Sequence, residues 1–118
     1  MKIEGKIAQD YLKALTGLDQ LPGINGERSI ELLRHGTLTV KLYAPRGGDG
    51  QYPHTRDEIY VIATGAGHFQ RGGKEVTFDA GDVLFVAAGE PRRFVDFTDD
   101  FATWVFSFGP EGGEAGRS

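Results

Sequence analysis

The segment Tyr52-Pro53-His54-Thr55-Arg56-Asp57-Glu58-Ile59-Tyr60-Val61-Ile62-Ala63-Thr64-Gly65 decides the fold, because it joins a strand signal to a cluster of reactive side chains. In an extended chain alternate residues share a face, so Tyr52 lies with His54, and Glu58 lies with Tyr60 and Ile62. The polar run Thr55 to Asp57 reads as a turn that sets His54 and Glu58 facing each other across neighbouring strands. Such a pair needs a rigid scaffold to hold it.

Composition limits what that scaffold can be. At 118 residues the chain is expected to form one domain with a real core. Eight Phe, four Tyr and 18 Gly favour strands and tight turns over a helical bundle. The absence of Cys excludes disulfides, thiolate metal sites and a cysteine nucleophile. A formal net charge of −4, with Lys and Arg scattered, argues against a nucleic-acid binder, which needs a basic stripe. Arg-Gly-Gly at Arg46 and Arg71 is read as turn sequence, not as an RNA-binding repeat. The first ten residues contain no apolar run, so neither a secretory signal nor a membrane span is expected, and a cytoplasmic location is the default.

Outward from the central stretch, Ile7, Tyr11, Leu15 and Leu18 follow a helical period with Gly17 as a stop, which predicts a short amphipathic helix on the outside of the body. Residues 1–27 are thus a helix and connecting loop. Ser29 to Arg34 and Thr37 to Tyr43 read as a hairpin across His35-Gly36, which makes His35 a turn residue. Pro45 to Gly50 reads as a flexible passage. His68 to Arg71 and Lys74 to Phe78 form a hairpin across Gly72-Gly73, and Val83 to Ala87 reads as a strand buried on both faces. Arg92 to Phe97 and Ala102 to Phe108 complete the set. The body spans 28–109, and Pro110 to Ser118 reads as a disordered tail. With no helical pattern between Arg28 and Phe108, the chain is all-β, an antiparallel sandwich or barrel. Tyr60, Phe69, Phe85 and Phe94 are assigned to the core, and Asp99-Asp100 to a solvated turn.

Two spacings resemble a known family. His54, three residues, Glu58, six residues, Gly65 resembles the latter half of the first cupin motif. Gly81, five residues, Ala87-Ala88-Gly89, two residues, Arg92, three residues, Asp96 resembles the second. The resemblance implies a single cupin jelly-roll barrel (double-stranded β-helix) with one short N-terminal helix, assembled as a homodimer. It also implies a barrel mouth that in many members holds a divalent metal such as Fe, Mn, Ni or Zn. Of the four metal-ligand positions only His54 and Glu58 carry ligands, while the others fall on Tyr52 and Arg92, and the motif Asn falls on Asp96. A guanidinium has no lone pair to donate and keeps its proton, so Arg92 cannot ligate.

If Arg92 points inward as the motif implies, it faces Glu58, and a bidentate pair would supply the positive charge of the missing ion. The expected site is then His54 and Glu58 as acid–base residues or, alternatively, as metal ligands, with Gln51, Tyr52, Arg92 and Asp96 binding a small polar or anionic molecule. Isomerase or epimerase chemistry through His54 is one reading. A metal-dependent, oxygenase-like enzyme is a second, and a non-enzymatic dimeric module with a vestigial polar pair is a third. His68, if directed inward, would be an additional ligand.

Overall fold

Residues 12–50 and 54–114 are described in the computed structural model. A helix α1 (Ala14–Leu18) precedes eight strands: β1 (Ser29–His35), β2 (Leu38–Tyr43), β3 (Asp57–Thr64), β4 (Ala66–Arg71), β5 (Lys74–Asp79), β6 (Val83–Val86), β7 (Arg92–Val95) and β8 (Ala102–Phe108). Every pairing is antiparallel, in one sheet ordered β1-β2-β8-β3-β6 and a second ordered β5-β4-β7. This is the jelly-roll arrangement that the cupin resemblance implies, and it agrees with the antiparallel sandwich or barrel read from the strand and turn signals.

The core lies between the two sheets. Tyr60 and Ile62 of β3 and Val105 of β8 meet Phe69, Phe78 and Phe94 from the smaller sheet, with Phe101 at the end. The rings pack edge-on or tilted, with centroids 4.8–5.7 Å apart, which adds about 0.5–1.5 kcal/mol per pair beyond area burial. Gly65 makes the turn from β3 to β4 possible. Its φ is +90°, and a Cβ there would stand 2.7 Å from Phe101 Cα.

Pairing register settles which face of β2 points inward. Glu58, Ser107 and Thr39 form one row across β3, β8 and β2, and Tyr60, Val105 and Lys41 form the next. Thr39, Lys41 and Tyr43 therefore line the inside of the barrel. Val40 and Leu42, buried at 4% and 0% exposure, face outward. Leu42 is covered by α1, where Gly17 lies so close that a Cβ would come within 2.7 Å of Leu42 Cδ2. Gly17 is thus a packing residue inside the helix, which runs on to Leu18. The expected start of this helix at Ile7 lies outside the described residues.

Several sequence expectations are corrected. Strand structure begins at Asp57, with His54 on the loop before it, so His54 and Glu58 meet across a bend and not across neighbouring strands. β6 is not buried on both faces: it is the edge strand of its sheet, and Val83 and Phe85 are 63% and 48% exposed, which also removes Phe85 from the core. The passage Pro45 to Gly50 is pinned. Pro45 is buried, and Asp49, 6% exposed, accepts hydrogen bonds from the Tyr43 hydroxyl and, at 2.8 Å, from the Phe94 amide. Residues 110–114 of the expected tail fold back, with Gly112 N donating to Thr55 O at 2.7 Å and Glu114 N to the Asp57 carboxylate at 3.0 Å. No helix of the described residues is long and apolar enough to cross a membrane.

Candidate functional site

Strand alternation carries Glu58 into the barrel at 4% exposure, and four side chains converge on its two oxygens. Arg92 Nη1 donates to Oε1 at 2.8 Å, and the Tyr60 hydroxyl donates to the same atom at 3.1 Å. Ser107 Oγ donates to Oε2 at 2.6 Å, and His54 Nδ1 lies 2.9 Å from Oε2. A buried carboxylate costs several kcal/mol unless paired and hydrogen-bonded, and this one is fully provided for.

Arg92 is the counter-ion. Its side chain is completely buried, and besides Glu58 it donates from Nη2 to Ala87 O at 3.1 Å and from Nε to Glu90 O at 3.2 Å. The expected bidentate fork is absent: one nitrogen serves the carboxylate, and the others brace the loop between β6 and β7. The same loop holds His54, whose carbonyl accepts from Gly89 N at 2.6 Å. Asp57 adds a further tie through the Ala88 amide at 2.9 Å. The backbone hydrogen bonds from Glu114 and Ala88 hold the Asp57 carboxyl below its ordinary pKa.

Electrostatics fix the protonation pattern. Burial alone pushes the Glu58 pKa up, but hydrogen bonds from His54 and Ser107, with the charges of His54 and Arg92, outweigh it and bring the net shift below the ordinary value. Burial first, and then the charge of Glu58, push the Tyr60 hydroxyl up, so it remains a donor. Since ionised Glu58 only accepts, the His54 nitrogen facing it carries hydrogen. About a third of the His54 side chain, 32%, is exposed to the mouth.

Two hollows open there and share Lys41, His54 and Glu58. One of about 290 Å³ is walled by Ser29, Tyr43 and Val105. The other, about 200 Å³, is lined by charged and hydroxyl side chains, among them Arg34, Arg56 and Ser107.

These residues do not fit the metal that the cupin resemblance implies. Both Glu58 oxygens are engaged by donors, and a guanidinium at 2.8 Å occupies the place where a cation would approach. No group of three or more His, Asp or Glu able to hold a metal occurs among the described residues. His68 pairs with Glu75 at 2.9 Å on an exposed part of the smaller sheet and is no further ligand.

Of the sequence-derived candidates, His54, Glu58 and Arg92 come together. Asp96 does not: it is exposed, has a φ of +52°, and lines a separate open hollow of about 640 Å³ with Arg93 and Phe97. Gln51 and Tyr52 lie outside the described residues. Sequence reasoning missed Ser107, Tyr43 and Lys41, and it assigned Tyr60 to the core without its hydroxyl's role. Ser107 had a signal, as a small polar residue between Phe106 and Phe108 on an otherwise apolar strand.

Comparison with known proteins gives a consistent answer. The family model described as "Cupin domain" matches residues 39–108. An uncharacterised protein of Streptomyces coelicolor is 31% identical over 84 residues, covering 70% of this chain and 80% of its own. A Cupin 2 conserved barrel domain protein from Salinispora arenicola has a TM-score of 0.58 at 23% identity, covering 69% of this chain and 74% of that one. KdgF from a Halomonas species has a TM-score of 0.59 at 20% identity, covering 70% of this chain and 78% of that one. At those identities the two solved structures speak for the fold alone.

Proposed function

The chain belongs to the cupin family, and from that premise we propose that it binds a small polar molecule at the barrel mouth without a resident metal, with His54 as the proton-transfer group. The observation that carries this reading is the Arg92–Glu58–His54 chain of contacts at 2.8 and 2.9 Å, which supplies internally the positive charge a metal would bring. In an isomerisation or epimerisation, Nε2 of His54 would take a proton from the bound molecule and return it at the neighbouring or opposite position. Glu58 would hold the ring in place and stabilise the imidazolium formed in between. The oxygenase-like alternative is disfavoured by the engaged carboxylate, since a metal site needs its ligands available.

The test is a thermal-shift screen of small hydroxy, oxo and amino compounds against wild type and His54→Ala. Binding to the native state raises the midpoint by mass action. A compound that stabilises wild type and not His54→Ala supports the reading. Near-stoichiometric Fe, Mn, Ni or Zn in untagged protein, lost in His54→Ala, would overturn it, and a screen with no compound dependent on His54 would favour the vestigial module.

The assembly we propose is a homodimer. Phe85 lies beside Ile59 and Val83 beside Val61 on the outer face of the larger sheet, where the exposed Val83 and Phe85 favour burial against a second copy.

A further inference from the structure

The charges around the mouth are unevenly matched. Arg34 is committed to Glu31 through two contacts of 2.8 and 2.9 Å, and Glu58 to Arg92. Arg56 donates to the carbonyl oxygens of Thr37 and Gly109, which are neutral groups. Lys41 is exposed although its strand position is on the inside of the barrel, one row along from the Glu58–Ser107–Thr39 row. It has no hydrogen-bonded or ion-paired partner among the described residues. Lys41 also lines both hollows, and so does His54. Its cross-strand neighbour Glu31, whose carboxyl is held below its ordinary pKa first by Arg34 and also by the charge of Lys41, is hydrogen-bonded to Arg34, which leaves the Lys41 ammonium for a bound anion to contact directly.

We propose that Lys41, with Arg56 beside it, forms an anion subsite in the barrel mouth, and that the molecule received next to His54 is a small carboxylic acid. Its carboxylate sits in the smaller, cationic hollow, and its body extends into the larger one against Tyr43 and Val105. Lys41 and Arg56 are the two cations left over once the Arg34–Glu31 and Arg92–Glu58 pairs are formed, enough positive charge for a molecule carrying one or two carboxylates. The larger hollow, of about 290 Å³, accommodates only a small body. This inference rests on the reading that the mouth binds a small molecule, and Lys41 acts as a specificity residue, with no part in proton transfer.

The test uses succinate and its neutral counterpart succinamide as probes on the full chain. Binding is followed by the ¹⁵N resonances of the His54 imidazole and by the dissociation constant from titration. The variants are Lys41→Met and, as a control, Lys74→Met in the β4–β5 hairpin. The expected result is a succinate-dependent shift at His54 in wild type and Lys74→Met, binding weakened about tenfold or more in Lys41→Met, and little response to succinamide. Added salt should weaken succinate binding to wild type. Equal affinity of wild type and Lys41→Met for succinate, or equal binding of succinamide, would overturn the anion subsite while leaving His54-dependent binding intact. Failure of succinate to move His54 in wild type at millimolar concentration would overturn the subsite for acids of this size. The broader reading would then stand or fall on the screen of other compounds.

Discussion

Replacing Arg92 by Met removes the one charge in contact with buried Glu58, among the described residues, that cannot titrate away. The variant loses the 2.8 Å charge-assisted bond and the two bonds to Ala87 O and Glu90 O, in a site where the arginine side chain has no exposure. Breaking one side of a buried pair costs about 3–5 kcal/mol, because the remaining charge stays desolvated. For a domain of this size that corresponds to a fall in Tm of roughly 10–20 °C. The double variant Glu58→Gln/Arg92→Met removes both charges and keeps an amide that can accept from Tyr60. It should recover about 2 kcal/mol of the loss, well outside additivity.

The pH dependence has a definite sign. In wild type the Glu58 pKa is lowered by folding, so its contribution is present above the unfolded value and is lost as pH falls through the folded value. Without Arg92, burial raises that pKa, and protonation relieves the variant in acid. The gap in unfolding free energy should therefore narrow as pH drops from neutral to about 4. Urea unfolding at several pH values measures all of this. A single variant within about 0.5 kcal/mol of wild type, or strict additivity in the double, would refute the charge-substitution argument.

Other consequences are equally direct. Ser107→Ala removes the 2.6 Å donor to Glu58 Oε2 and should cost about 1.5–3 kcal/mol while raising the Glu58 pKa, readable by carboxyl ¹³C titration; an unchanged pKa would count against it. Gly65→Ala meets Phe101 Cα at 2.7 Å and a φ of +90°, so a loss of about 2–4 kcal/mol is expected in denaturant unfolding, and a neutral effect would mean that this turn is not formed as described. Phe85→Glu places a charge on the outer face at a residue already 48% exposed. It should leave monomer stability within about 0.5 kcal/mol and shift sedimentation from dimer to monomer; a wild-type chain that sediments as a monomer would refute the dimer.

The barrel was legible where alternation and glycine turns agree, as in β4, β5 and β8. It was least legible where context reverses the usual sense of a pattern. On β2 the alternation Leu38, Val40, Leu42 against Thr39, Lys41, Tyr43 is plain in the sequence, but the polar set faces the inside of the barrel, because Leu42 is covered from outside by α1. Nothing in that pattern singles out Lys41 as a residue of the barrel mouth. The central pair was visible as chemistry, since His54 and Glu58 stand at a motif spacing, yet its geometry was not. The carbonyl of His54 is bound by Gly89 of a distant loop, which keeps it off the strand, and no local signal in Tyr52 to Gly65 encodes that contact. Arg92 was found through its motif position, but the division of its donors between a carboxylate and its own loop is set by tertiary packing that no local sequence encodes.

The measurement closest to the central claim is a heteronuclear NMR titration of the Glu58 carboxyl and the two His54 ring nitrogens in metal-free protein. The account predicts a carboxyl that ionises below the ordinary glutamate range and a His54 ring with hydrogen on Nδ1, donated to that carboxylate. A Glu58 that titrates above the ordinary range, or a His54 whose Nδ1 carries no hydrogen, would contradict it.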